Sequence, residues 1–319
     1  MFDFKLKSIV ETLTLRIGRI FDFSRKNSDN IKITSAVDVR DINTSQQIVN
    51  LNLNLGNDPT QISKVIQMFT SSLGGNLPEP LKAQIQNAIK PFESKLIEDL
   101  TSSASPDLGK NLSQIDNLFS ISEGAKLATL TKQDEVKILL GKLVASKIVS
   151  DPQSSKLQNV LNTSALSIAG KLTGEQLRIL SLALLLRWVF PRGTHTWGEI
   201  LAILDDDRLW EIDMLTIAEN ISYMASAGTG YQSVHQWLYS ATWDLRKRLF
   251  PDQGDMDIIQ SFIFIKDRLN RDLKNSAKLF SILEFFQLGQ FFMHTVGSII
   301  TASFLEQLIG LSIEAKSDS

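Results

Sequence analysis

Apolar residues at spacings of three and four govern most of this chain, and strict alternation is confined to one short stretch. Leu6, Ile9, Leu13, Ile17 and Ile20, joined by Val10, gather on one face of a helix predicted over residues 4–23. After the polar run 24–30 the parity changes. Ile31, Ile33, Val37 and Val39 occupy alternate positions, and Val49, Leu51, Leu53 and Leu55 alternate with asparagines up to Gly56-Asn57. The two runs, linked through 41–47, predict a β-hairpin, so strand is expected largely within residues 31–55. An isolated hairpin is marginal in water, and its apolar face is expected to dock on helices or on a second copy.

Helical spacing takes over from residue 58. Asp58-Pro59-Thr60-Gln61 reads as a helix start ahead of the stripe Ile62, Val65, Ile66, Phe69 and Leu73. The break 74–80 follows. Leu81, Ile85, Ile89, Phe92, Leu96 and Leu100 mark the next helix, with Pro91 expected to kink or restart it. The serine-rich stretch Thr101 to Gly109 reads as an internal linker. Thr131 is expected to cap a helix carrying Val136, Leu139, Leu140, Leu143 and Ile148, and another helix continues from Leu157 to Ile168. Thr173-Gly174-Glu175-Gln176 has the form of a capping box, and Ile179 to Leu186 behind it is apolar on nearly all sides, as a central helix would be. Further helices are predicted at 197–204, 207–226, from Ser233 to Phe250, 256–277 and 279–313, with a helix–helix connection at Gly228-Thr229-Gly230. The fold class that follows is mainly α: a multi-helix bundle with a short N-terminal β-hairpin element. Its organisation reads as residues 1–57, a small helical region 58–130, and a main bundle 131–319.

Composition narrows the classes of function. Of 319 residues, 43% are apolar and 21% charged, which fits a globular core, and the net charge of −2 provides no global attraction for nucleic acid or anionic lipid. Cysteine is absent, which removes disulfides, thiolate nucleophiles and cysteine metal sites together. Asp3 and Glu11 interrupt any apolar core at the start of the chain, so a secretory signal is not read there and a cytoplasmic location is expected.

No catalytic constellation emerges. His195, His235 and His294 share no helical face, so no metal pair is expected and no cofactor is assigned. Asp205-Asp206-Asp207 suits a helix N-terminus better than a cation loop, because capping demands only local sequence. The glycines at 228 and 230 lack the flanking residues of a phosphate loop. Whether the protein is an enzyme stays open, with a non-enzymatic role favoured.

Two features can carry binding. Trp237, Trp243, Arg246, Lys247 and Arg248 on one predicted helix, with Lys266, Arg271 and Lys274 on the next, form a basic-aromatic set suited to nucleic acid or to a protein partner. The amphipathic segment 4–23 suits a membrane surface or a partner helix. Phe285 to Leu305 has the length of a membrane span, yet Gln287, Gln290, His294, Ser298 and Thr301 form a polar stripe that favours a buried soluble helix.

Leu139 to Ile148, with its Leu-Leu-Gly-Lys rhythm, and the helix start Leu172-Thr173-Gly174-Glu175-Gln176-Leu177 resemble abortive-infection-type helical proteins of bacteria. Asp29 to Ile33 and Asp38-Val39 are similar to a strand-forming N-terminal segment of such proteins. The resemblance implies a bacterial anti-phage sensor or effector, and it transfers no functional residue. The resulting expectation is a non-enzymatic interaction protein acting on another protein or on itself as a homo-oligomer. A membrane-associated effector and a nucleic-acid-binding regulator are the alternatives.

Overall fold

A computed structural model describes residues 61–74, 78–103, 108–112, 114–149, 156–192, 196–232, 237–282 and 291–310. The helix expected at 4–23 and the hairpin expected at 31–55 lie outside these residues. Within them the chain is a mainly α, multi-helix bundle. Helices α1 (Gln61–Gly74), α2 (Glu79–Ser102), α3 (Leu108–Leu112), α4 (Ile115–Leu130), α5 (Asp134–Val149), α6 (Lys156–Ala169) and α7 (Gly174–Arg192) come first. Then follow α8 (Trp197–Leu204), α9 (Ile217–Ser226), strand β1 (Gly230–Gln232), α10 (Trp237–Leu249), α11 (Ile258–Asp272), α12 (Ser276–Phe280), strand β2 (Phe291–Met293) and α13 (Thr295–Ile309).

The packing of α2, α4 and α5 centres on Phe92, which is fully buried. Two helical glycines make room for it. A Cβ at Gly124 would stand 2.7 Å from the Phe92 ring, and one at Gly141 would stand 2.6 Å from the Phe92 carbonyl oxygen. Backbones therefore approach at Gly141 as closely as only a bare Cα allows. Pro91 sits inside α2 without ending it. An interior proline costs a helix about 3 kcal/mol, and the burial of Ile89, Phe92, Leu96 and Leu100 on either side offsets that loss.

A second junction is polar. Arg178 is 8% exposed. Its guanidinium donates to the Arg208 carbonyl at 2.8 Å, to Glu135 at 2.9 Å and to Glu211 at 2.8 Å. Gly174 lies against the Glu135 carboxylate so closely that a Cβ would collide with it. The capping box at Thr173 and Gln176 forms as its sequence indicates, with reciprocal bonds of 3.0 and 3.2 Å. Behind it Ile179, Leu180, Ser181, Leu182 and Ala183 are all fully buried, the central position their sequence predicts.

The helix expected over 207–226 is divided. Asp207–Trp210 is a short 3-10 turn, and α9 begins only at Ile217. Tertiary polar contacts pull the intervening chain away from helix. Trp210 Nε1 donates to the Leu204 carbonyl at 2.6 Å, and the Glu175 carboxylate accepts from the Asp213 N–H at 2.8 Å and the Thr216 hydroxyl at 3.0 Å.

The C-terminal expectation changes most. The helix read over 279–313 gives way to β2 and the shorter α13. Gly230, Tyr231 and Gln232 pair antiparallel with Met293, Phe292 and Phe291. The sheet thus joins segments far apart in sequence, and Gly228-Thr229-Gly230 leads into a strand rather than simply linking helices. Bare backbone permits this. Gly230 faces the Phe291 ring, and Gly297 on α13 packs on the Thr229 carbonyl. Phe291 and Ile300 are fully buried, while Phe292, Val296 and Ile299 are only partly so. Thr301, part of the polar stripe, is fully buried and donates to the Gly297 carbonyl at 2.6 Å. Among the described residues no helix is long and apolar enough to cross a membrane. Smaller shifts concern Thr131, which ends α4 instead of capping α5, and residues 101–102, which belong to α2.

Gly141→Ala should destabilise the chain by about 1–3 kcal/mol through overpacking, whereas Gly198→Ala, with open space around it, should stabilise α8 by roughly 0.5–1 kcal/mol. Urea denaturation of the two variants checks the contrast. Arg178→Ala should cost about 3–5 kcal/mol, because it leaves Glu135 without its partner, and the same measurement reads it.

Candidate functional site

The basic-aromatic residues do not assemble into a row of free cations. Arg246 is 3% exposed, and among the described residues its Nε and Nη2 have no hydrogen-bond partner. Burial holds the Arg248 guanidinium below its ordinary range, with Asp244 opposing. Lys247 lies 3.5 Å from the centre of the Trp243 ring, and Lys266 lies 5.1 Å from that of Phe280. Lys274 pairs with Asp207 at 2.8 Å, and this hydrogen bond raises the lysine and lowers the aspartate from their usual ranges. Arg271 is exposed, with a long bond to the Asp267 carbonyl on its own helix. Trp237 opens α10.

The aspartate triplet is likewise structural. Asp205 accepts from the Lys274 N–H at 2.9 Å, and Asp206 caps the 3-10 turn by accepting from the Arg208 N–H at 3.1 Å. Among the described residues no group of histidines and carboxylates is placed to hold a metal ion. His195 and His235 lie outside the described residues, and His294 is exposed at the start of α13.

A different feature has the shape of a site. A cleft of about 670 Å³ opens between α4 and α6, with the last turn of α5 at its floor. Its wall on α4 carries Asp116, Ser120 and Glu123, and its wall on α6 carries Asn159, Thr163 and Ser167. Spacings of three or four residues align each set on one helix face.

At the floor, Lys147 donates to the Ser120 hydroxyl at 2.6 Å and to the Thr163 hydroxyl at 3.0 Å. Each hydroxyl spends its own proton on a carbonyl of its own helix, Ser120 on Asp116 at 2.8 Å and Thr163 on Asn159 at 2.9 Å. Both oxygens are thereby fixed as acceptors toward the amine. Lys147 is part-buried, and desolvation holds its amine below the ordinary lysine range, partly opposed by the charge of Asp116. Phe119 and Val160 form apolar rims.

The polar stripe Asn159, Thr163, Ser167 was visible in the sequence at a constant spacing of four, but attention to apolar periodicity passes over it. Lys147 itself lies within the Leu139–Ile148 stretch, where nothing local sets it apart from other lysines.

Because the folded-state amine binds its proton less tightly than the unfolded one, the unfolded chain holds more protons just below pH 10.5. Stability relative to Lys147→Met should therefore rise as pH increases toward that value, which urea titrations of both proteins at stepped alkaline pH would measure.

The model of a protein family of unknown function matches residues 56–263, more than half of the chain. No curated protein and no solved structure matches it significantly.

Proposed function

The chain belongs to that family of unknown function, whose matched span contains the whole cleft, and on this premise we propose a non-enzymatic interaction protein that receives a partner's segment between α4 and α6. The observation that carries this reading is the pair of apolar rims on neighbouring helices. Ile115 and Phe119, four residues apart on α4, are 50% and 47% exposed. Leu157 and Val160, three apart on α6, are 65% and 61% exposed. Large apolar side chains scattered singly are ordinary on a surface, but here Phe119 and Val160 line one cleft from two helices, each with a second exposed apolar residue about one turn away on its own helix. Covering such side chains releases about 1.5–3 kcal/mol each, enough to give a modest interface its core.

The floor argues against catalysis. Ser120 lies within α4, where its backbone N–H belongs to the helix and is not offered to an oxyanion. Its proton is engaged by a carbonyl, and the neighbouring amine donates instead of accepting. A serine–lysine nucleophile would need the opposite arrangement. The partner is a second copy or another protein. The resemblance of residues 139–148 and 172–177 to abortive-infection proteins is what supports reading such binding as part of anti-phage defence.

Phe119→Ser combined with Val160→Ser should lower the native mass by light scattering if the partner is a second copy, or abolish recovery of a stoichiometric partner if it is not. Ile259→Ser with Ile263→Ser, on exposed positions of α11, should leave both unchanged. Equal effects from the two double variants would defeat the assignment to the cleft.

A further inference from the structure

The crossing of α10 and α11 holds a buried cation without an anion among the described residues. Tyr239, near the start of α10, meets Phe262 edge-on at 4.8 Å, and Phe250, just past its end, meets Phe264 at 5.3 Å. Contacts from both ends of α10 thus fall within one turn of α11, so the two helices cross between them. Tyr239, Thr242, Arg246 and Phe250 follow at spacings of three and four on the face of α10 that meets α11. Ser261, Phe264, Ile265 and Arg268 form the corresponding strip on α11.

Three polar groups on these strips have unspent donors. Arg246 is 3% exposed and Ser261 is fully buried. Among the described residues, neither Nε nor Nη2 of Arg246 has a hydrogen-bond partner, and neither does the Ser261 hydroxyl. The Arg268 Nε is buried and unpartnered likewise, with its guanidinium 4.7 Å from the Phe250 ring and 5.7 Å from the Phe264 ring. Elsewhere the same chain satisfies such groups. Arg178 has an acceptor on every nitrogen, and the buried Ser181 hydroxyl donates to the Leu177 carbonyl of its own helix. The acids of α10 and α11 do not relieve the crossing: Asp244 and Asp267 stand at exposed positions, and Asp272 accepts from Trp197 Nε1 at 2.8 Å. A buried cation left unpaired strongly destabilises a fold, so the missing component is an anion from outside the chain.

We propose that the crossing of α10 and α11 binds a phosphate dianion, free or at the end of a small phosphomonoester. The Nε and Nη2 edge of a guanidinium matches two oxygens of one carboxylate or phosphate. A carboxylate brings a single charge against two arginines and has no third oxygen for the serine. A phosphate dianion balances both cations and keeps further oxygens for the Ser261 hydroxyl and for Arg268. Burial sets the size of the ligand. Arg246 and Ser261 lie too deep for the continuous backbone of a nucleic acid, whereas a terminal phosphate group reaches them past the partly exposed Arg268.

Equilibrium dialysis of the full chain against radiolabelled orthophosphate at constant ionic strength tests this. The wild type should bind saturably, with one phosphate per chain. Ser261→Ala should weaken binding about tenfold or more, the loss of one hydrogen bond to a charged group. Arg246→Met should abolish it, while Arg271→Ala, on an exposed position of α11, should leave it unchanged. Without phosphate, Arg246→Met should melt at or above the wild-type temperature, because it removes an unpaired charge and keeps the apolar volume. Competition by unlabelled methyl phosphate identifies a monoester as the ligand, and competition by orthophosphate alone identifies the free ion. Several results overturn the proposal: no saturable binding to the wild type, undiminished binding in Arg246→Met, or acetate competing as well as phosphate. Melting of Arg246→Met far below the wild type overturns it too, since that marks a purely structural arginine. Displacement by a single-stranded oligonucleotide but not by methyl phosphate overturns it in favour of a nucleic-acid surface. The dialysis and the competition use the wild-type chain and do not depend on a variant folding.

Discussion

At Arg178 the bundle gives every nitrogen of a buried guanidinium an acceptor. A cation withdrawn from water requires acceptors for its donors, and these come from Glu135 on α5, the carbonyl of Arg208 and the side chain of Glu211. Two chain segments, α5 and residues 208–211, are thus fixed around one planar group carried by α7. Glu175 accepts from the Asp213 N–H and the Thr216 hydroxyl, and the Gln176 amide donates to Asn220, which extends the junction to the start of α9.

Helix α5 carries this constraint through the molecule. Its first turn holds Glu135, its middle holds Gly141 against α2, and its last turn holds Lys147. Twelve residues of helix separate the clasp from the cleft, a distance of about 18 Å. Lys142 pairs with Glu306, and Gln307 donates to the Glu135 carbonyl at 3.0 Å, so α13 grips the same rod from another side. The position of the Lys147 amine is therefore set by packing far from the cleft itself. That rigidity suits a group whose hydrogen bonds to two other helices must be kept together.

The bundle was legible wherever one helix contributed its own evidence. The stripe around Phe92 and Leu96, the capping box at Thr173 and the all-round apolar run behind it each produce the expected element. What the sequence concealed depends on residues distant from one another. Phe291-Phe292-Met293 continues an apolar run and has no strand signal of its own; its pairing with 230–232 makes it a strand. The 3-10 turn at 207–210 likewise arises because Glu175 captures groups from 213–216. The basic-aromatic set showed the limit of periodicity, since Arg246 and Lys247 are adjacent in sequence yet one is buried and the other exposed. The cleft was hidden because its hydroxyls lie on two helices and its amine on a third.

The short sheet also shapes how the chain can vary in length. Pairing Gly230 with Met293 closes a loop of about sixty residues, at an entropic cost on the order of 4 kcal/mol. A ladder of three residues contributes roughly 0.5–1.5 kcal/mol per hydrogen bond, so the closure also relies on buried Phe291 and on Gly297 seated against Thr229. Loop entropy grows only logarithmically, and doubling this excursion adds about 0.6 kcal/mol. Added residues in the connections between α10, α11 and α12 therefore cost little closure entropy, provided that residues 230 and 297 keep no side chain.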